Sequence, residues 1–220
     1  MPEAKITQLW PIPLFQSNFL ISEDIKQKFY NEKYERMPSE NGAFTENKYI
    51  LHSPEYAEIK ENILINVSVY TKKFLNISDR VKFYLQNSWG VKHMPGDWGQ
   101  PHTHGNSLLS GVYYLKTDKE SGNIQFNQPG GYTNLFHQSV RVPFNEHDNI
   151  SCDTWNVIPE VGDMVLFPSH LSHNIETNNS NIVRYSLAFN LHVEGELYSP
   201  RSPIDYLKLR NGNKNEQSWF

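Results

Sequence analysis

Residues 182–193, IVRYSLAFNLHV, alternate without interruption. Ile182, Arg184, Ser186, Ala188 and Asn190 fall on one side of an extended chain, and Val183, Tyr185, Leu187, Phe189 and Leu191 on the other. The second side is almost wholly apolar and predicts a face packed beneath another layer. The first carries Arg184 and predicts the lining of a barrel interior. Residues 81–91, VKFYLQNSWGV, keep the same period of two, with Val81, Phe83, Leu85, Asn87, Trp89 and Val91 expected on one face. SLLSGVYYL (107–115), NIQF (123–126), TWNVI (154–158), MVLF (164–167) and HNIET (173–177) read as further strands. PGDWGQP (95–101), Ser121-Gly122 and Val161-Gly162-Asp163 separate them as turns.

Upstream of residue 80 the period changes. Ser22 followed by Glu23 and Asp24 predicts a helix start, with a hydroxyl cap and acids facing the positive end of the dipole. That helix carries Ile25 and Phe29 on one face and ends before Pro38. Ser53-Pro54-Glu55 predicts a second start, and Tyr56, Ile59, Ile63, Val67, Tyr70 and Phe74 form one stripe to about Phe74. KITQLW (5–10) and PLFQSNFL (13–20), broken by prolines, read as short edge strands. Two helices followed by many antiparallel strands predict an α+β chain whose strands close into a barrel or jelly roll, with the helices outside. At ~150 residues per domain, the 220 residues are read as one domain. Residues 1–80 supply strands and supporting helices, 81–193 the jelly-roll core with the site, and 194–220 a C-terminal extension. Residues 130–151 form a loop long enough to act as a lid or binding loop.

Composition narrows the function. Twenty basic against 24 acidic residues give a net charge of −4, so no bulk attraction to nucleic acid or an anionic membrane is expected. The lone Cys152 excludes an internal disulfide framework and a Cys-rich zinc site. The opening MPEAKITQLWPIP has no apolar signal core, and no run approaches the ~18 apolar residues of a membrane span; a cytoplasmic protein is expected. Edge strands leave a homodimer open.

Two stretches carry chemistry. In PHTHGNS (101–107), residues two apart on an extended strand end point the same way, so His102 and His104 can present imidazoles to one ion. A third ligand can come from GDMVLFPSHLSHNIETN (162–178), through His170 or His173. Imidazoles suit iron, zinc, copper and nickel alike. His52, His93, His137, His147 and His192 have no partner at ligand spacing and read as surface or core-edge residues. Arg184 in the barrel needs an anion, because a buried lone charge is costly. Its strand offers no carboxylate, and a bound dicarboxylate would match the guanidinium fork; the alternative is a surface acid at the barrel rim.

From about Val81 to Leu191 the order and spacing of these motifs resemble the Fe(II)/2-oxoglutarate-dependent dioxygenases. NSWGVK, PHTHGNSLLSGVYYL, GDMVLFPSHLSHNIETN and RYSLAFN are most similar to a small branch found in marine bacteria and phages, near the prolyl-hydroxylase-like enzymes. The resemblance implies a double-stranded β-helix and a hydroxylase that consumes 2-oxoglutarate and releases succinate and CO2. It makes His102 the first metal ligand and His173 the distal one, and Arg184 with Ser186 the co-substrate anchor. Asn87, the polar exception on its strand face, and Tyr113 are expected to support the co-substrate; Trp89 and Trp98 are expected to shape the substrate mouth. The family pattern has a carboxylate where this chain has His104. Either His104 ligates, giving a three-His site, or it turns away; ligation is the expectation. The substrate is open between a peptide or protein side chain and a small metabolite.

Two other readings use the same residues. Gly96 to His104 and Gly162 to His173 resemble the two cupin motifs, which would give a three-His dioxygenase that does not use 2-oxoglutarate. That reading lacks the expected glutamate, since residues 108 and 109 are both Leu, and gives Arg184 no task. A non-enzymatic jelly-roll binding module is the third.

Overall fold

The computed structural model describes residues 4–8, 11–36, 41–129, 143–199 and 202–209. In chain order these form β1 (Phe15–Asn18), α1 (Glu23–Tyr30), β2 (Tyr34–Arg36), β3 (Ala43–Thr45), α2 (Ala57–Ser68), β4 (Val81–His93), β5 (Gly99–His102) and β6 (Leu109–Lys116). There follow β7 (Ile124–Asn127), β8 (Thr154–Val157), β9 (Asp163–Pro168), β10 (His173–Ile175), β11 (Arg184–Ser199) and β12 (Ser202–Leu209). The larger sheet runs β1-β9-β6-β11-β4-β3-β2, with β12 paired to the far end of β11; the smaller runs β5-β10-β7-β8. Neighbouring strands in both sheets are antiparallel. This is the double-stranded β-helix, an α+β jelly roll with two helices outside.

Side-chain parity divides the core in two. Tyr185, Leu187, Phe189 and Leu191 of β11 join Leu109, Tyr113 and Leu115 of β6, and Met164 and Leu166 of β9. They pack beneath Ile25 and Phe29 of α1 and Ile59, Ile63 and Val67 of α2. Between the sheets, Val112, Tyr114, Val165 and Phe167 meet Ile124, Phe126 and Val157 from the smaller sheet. Arg184, Ser186, Ala188 and Asn190 sit on this inner face, as their alternation predicts.

The alternation expected for residues 81–91 breaks in the middle. Asn190 pairs with Asn87 but Leu191 pairs with Leu85, so Gln86 is an extra residue on β4. A β-bulge of this kind reverses which parity faces which layer. Leu85 therefore joins the helix-side core, whereas Trp89, Val91 and His93 line the inner cavity. Periodicity alone cannot locate such an insertion, because it depends on the partner strand.

Other boundaries also differ from expectation. α1 stops at Tyr30, and the β2–β3 hairpin, whose three-residue strands are too short to show a period, adds to the sheet edge. Neither Ser22 nor Ser53 makes a side-chain capping bond, and Ser53 precedes a short 3₁₀ turn before α2. Past Ser68 the second helix widens to a π-type segment through Phe74, which is exposed. Residues 5–8 form no strand. Residues 130–142 of the expected long loop lie outside the described residues; 143–151 are bends and turns. The expected C-terminal extension begins within β11, which continues to Ser199 and folds back as β12; residues 210–220 lie outside the description. Among the described residues no helix is long and apolar enough to cross a membrane.

Gly111 shows how closely the helix-side core is filled. A Cβ there would meet the Phe189 ring and lie 2.6 Å from Leu166 Cδ2. Gly111→Ala is expected to cost about 1–3 kcal/mol through overpacking, measured as a lower urea midpoint at unchanged m-value.

Candidate active site

Strand register brings the histidines together. His102, closing β5, lies directly opposite His173, which opens β10. His104 follows two residues beyond β5, where its backbone N–H donates to Ser169 O (2.9 Å). One nitrogen from each of His102, His104 and His173 lies within 4.8 Å of the others. The Nε2 atoms of His102 and His104 are 3.2 Å apart.

The opposite ring nitrogens determine the tautomers. Nδ1 of His102 lies 2.8 Å from Gln100 O, Nδ1 of His173 3.0 Å from Leu171 O, and Nδ1 of His104 2.6 Å from Asn190 Oδ1. Each of these oxygens only accepts, so each Nδ1 carries the hydrogen and each Nε2 keeps a lone pair. Burial pushes the pKa of His173 down to about 3 and lowers that of His104, which favours the neutral, ligating form. Facing lone pairs repel unless a cation lies between them. Two nitrogens each about 2.1 Å from one ion and at right angles to each other are about 3.0 Å apart, close to the observed separation. The donor set therefore fits a metal bound through three imidazoles.

A cavity of about 340 Å³ extends from this cluster between the sheets. Its wall includes Arg184, which is 1% exposed. Arg184 Nη1 donates to Nδ1 of His93 (2.9 Å), while Nε and Nη2 are buried without a partner. The guanidinium carbon lies 5.1 Å from the centre of the Tyr114 ring, whose buried hydroxyl also lacks a partner. Among the described residues no carboxylate lines the cavity. Burial lowers the pKa of Arg184 and raises that of Tyr114. Burial, with Arg184 second, pushes His93 down to about 3, so it is the neutral acceptor the contact requires. A buried cation with two free donors calls for an anion that can take both.

The structure brings His102, His104, His173, Arg184 and Ser186 into one cavity. His170 is exposed and outside the cluster. Asn87 lies opposite Asn190 with its Oδ1 buried and unpartnered, but does not line the cavity. Tyr113 is on the other face of β6: its ring stacks on Phe19 at 4.4 Å and its hydroxyl donates to Phe19 O (2.9 Å). It cannot support a co-substrate from there. Its neighbour Tyr114 reaches the Arg184 wall instead, on the face that Ser110 and Val112 share; which parity faces inward is set by the pairing with β11. His93, read as a surface or core-edge residue, is buried against Arg184. Trp89 lines the cavity with its ring 5.8 Å from that of His104, whereas Trp98 stands outside it.

Asn190 and Ser110 were not singled out in the sequence. Asn190 Oδ1 accepts from both His104 Nδ1 and Ser110 Oγ (2.8 Å), which fixes the ring on which a third ligand depends. Asn190→Ala is expected to weaken Co(II) or Ni(II) binding by about 10–100-fold, read by calorimetric titration, with the fold retained.

Residues 87–190 match the model of a family described as "Putative 2OG-Fe(II) oxygenase". No curated protein matches the chain. Among solved structures, HygX from Streptomyces hygroscopicus with nickel and 2-oxoglutarate bound superposes with a TM-score of 0.55 at 12% identity, covering 82% of each chain. SnoK, a non-heme alpha ketoglutarate dependent carbocyclase from nogalamycin biosynthesis, gives 0.56 at 15% identity over 84% of this chain and 82% of its own. A Pseudomonas putida prolyl-4-hydroxylase gives 0.50 at 13% identity over 81% and 92%. At such identities the superpositions speak for the fold; the family match covers the segment that holds the three histidines and Arg184. Over residues 87–190 the chain is similar to the 2OG-Fe(II) oxygenase family, and the three-imidazole cluster in that segment fits a metal ion.

Proposed function

We propose that His102, His104 and His173 hold Fe(II) through Nε2, that Arg184 takes the distal carboxylate of 2-oxoglutarate, and that the chain hydroxylates a C–H bond of a peptide or protein side chain or a small metabolite. One observation carries the reading: Arg184 Nε and Nη2 are buried without a partner in the same cavity as three convergent imidazole nitrogens. A cupin-type site without 2-oxoglutarate leaves those donors unused.

The residues divide the work. Nε and Nη2 form the side-on edge of the guanidinium and can meet one carboxylate with two parallel hydrogen bonds. Ser186 lines the wall on the same strand, and the Tyr114 hydroxyl is a further donor nearby. Gln100 O, Asn190 Oδ1 and Leu171 O keep the three Nδ1 atoms protonated, and so the ligand nitrogens bare. Val91, Val112, Ile124, Phe167 and Ile175 make the remaining wall apolar, which excludes bulk water and strengthens the electrostatic contacts within. When bound, Fe(II) and 2-oxoglutarate supply the oxidising chemistry: O2 and co-substrate are converted to succinate and CO2, with one oxygen atom passing to the substrate. With His104 in place of a carboxylate, the three imidazoles would contribute no negative charge, and a bound divalent metal would keep its full double positive charge.

Two neighbours mark the range of substrates: one is a prolyl-4-hydroxylase and another is HygX with hygromycin B bound. Purified protein with Fe(II) and O2 is expected to convert 2-oxoglutarate to succinate, even if slowly in the absence of substrate. Arg184→Ala should raise the 2-oxoglutarate concentration required by about 30-fold or more. Succinate formation that is independent of Arg184 would overturn the assignment.

A further inference from the structure

His93 ends β4 where β11 begins, so Arg184 and His93 are register partners across the sheet. Two neighbours hold the His93 ring. Its Nδ1 accepts from Arg184 Nη1 at 2.9 Å, and the Asn41 backbone takes a hydrogen bond from the ring. Gly42 leaves the space the ring occupies: a Cβ there would lie 2.8 Å from His93 Cδ2. The carbonyl of His93 is also tied, accepting from Asn178 Nδ2 at 3.1 Å. The imidazole is therefore a fixed acceptor, 3% exposed, beside a guanidinium that pairs with no acid among the described residues.

A guanidinium can offer a carboxylate either its end, through Nη1 and Nη2, or its side, through Nε and Nη2. With one Nη1 hydrogen already given to His93, the side edge is the one on which both nitrogens, Nε and Nη2, are free. We propose that His93 is a positioning residue which, by holding Nη1, commits Arg184 to present its Nε–Nη2 edge and so makes the pocket selective for 2-oxo acids bearing a distal carboxylate. The inference rests on Arg184 being the co-substrate anchor. Its distinctive consequence is that His93 affects only ligands that use Arg184. It touches neither the metal-binding nitrogens nor the 2-oxo acid end of the ligand.

The test compares 2-oxoglutarate with 2-oxopentanoate, which has the same chain length without the distal carboxylate. Binding to Ni(II)-loaded protein is measured calorimetrically, so no turnover is required. Wild type should prefer 2-oxoglutarate. In His93→Ala, affinity for 2-oxoglutarate should fall roughly ten-fold or more while that for 2-oxopentanoate is unchanged, and His93→Gln, whose amide oxygen can accept from Nη1, should recover part of the loss. Equal loss for both ligands, or no loss in either variant with wild-type preference intact, overturns the role of His93. No preference in wild type would instead overturn Arg184 as the anchor, separating the two failures. Should His93→Ala not fold, His93→Gln against His93→Leu makes the same comparison: only the first retains the preference.

Discussion

Two imidazole lone pairs face each other at 3.2 Å, with a third imidazole nitrogen close by, and each ring has its only proton engaged on the far side. Moving a hydrogen from an Nδ1 to an Nε2 would forfeit its bond to the carbonyl or amide oxygen on the far side. A cation at the focus turns the repulsion into three bonds. Much of the inner cavity serves this requirement. The small sheet registers His102 against His173, the turn after β5 brings in His104, and Asn190 and Ser110 brace its ring from the larger sheet.

The second constraint is of opposite sign. Arg184 carries a buried positive charge with Nε and Nη2 unpartnered, and the histidine that accepts from its Nη1 is neutral. An isolated charge of this kind would count heavily against folding unless the bound anion returned part of that free energy. The histidine cluster and the Arg184 guanidinium share the inner face of one jelly roll. β11 carries Arg184 and Ser186 toward one end of the cavity and Asn190, the brace of His104, toward the other. On the proposed reading, a single strand would link the two ends of a bound 2-oxo dicarboxylic acid.

Strand parity also explains what could be read in advance. The unbroken alternation of residues 182–193 placed Arg184 and Ser186 on the inner face correctly, and the His-x-His spacing paired His102 with His104. Which distal histidine joins them was open between His170 and His173 until the family pattern was considered, because the choice depends on the fold. The stretch 81–91 failed at Gln86, since a bulge is defined by its partner strand. Tyr113 was named and its neighbour Tyr114 was not, because the direction of β6 side chains is set by the pairing of Ser110 with Asn190 on the partner strand. His93 was passed over because its role is not ligation: it accepts a hydrogen bond from Arg184, 91 residues away, and no local pattern encodes that.

The most direct test of the account is an anaerobic titration of metal-free protein with Fe(II) and then 2-oxoglutarate. The observable is the visible charge-transfer band of a metal chelated by a 2-oxo acid. The account predicts a band that saturates at one iron and one 2-oxoglutarate per chain and is absent in His173→Ala. Tight iron binding with no band on adding 2-oxoglutarate would contradict the co-substrate assignment, and no iron binding at all would contradict the three-imidazole centre.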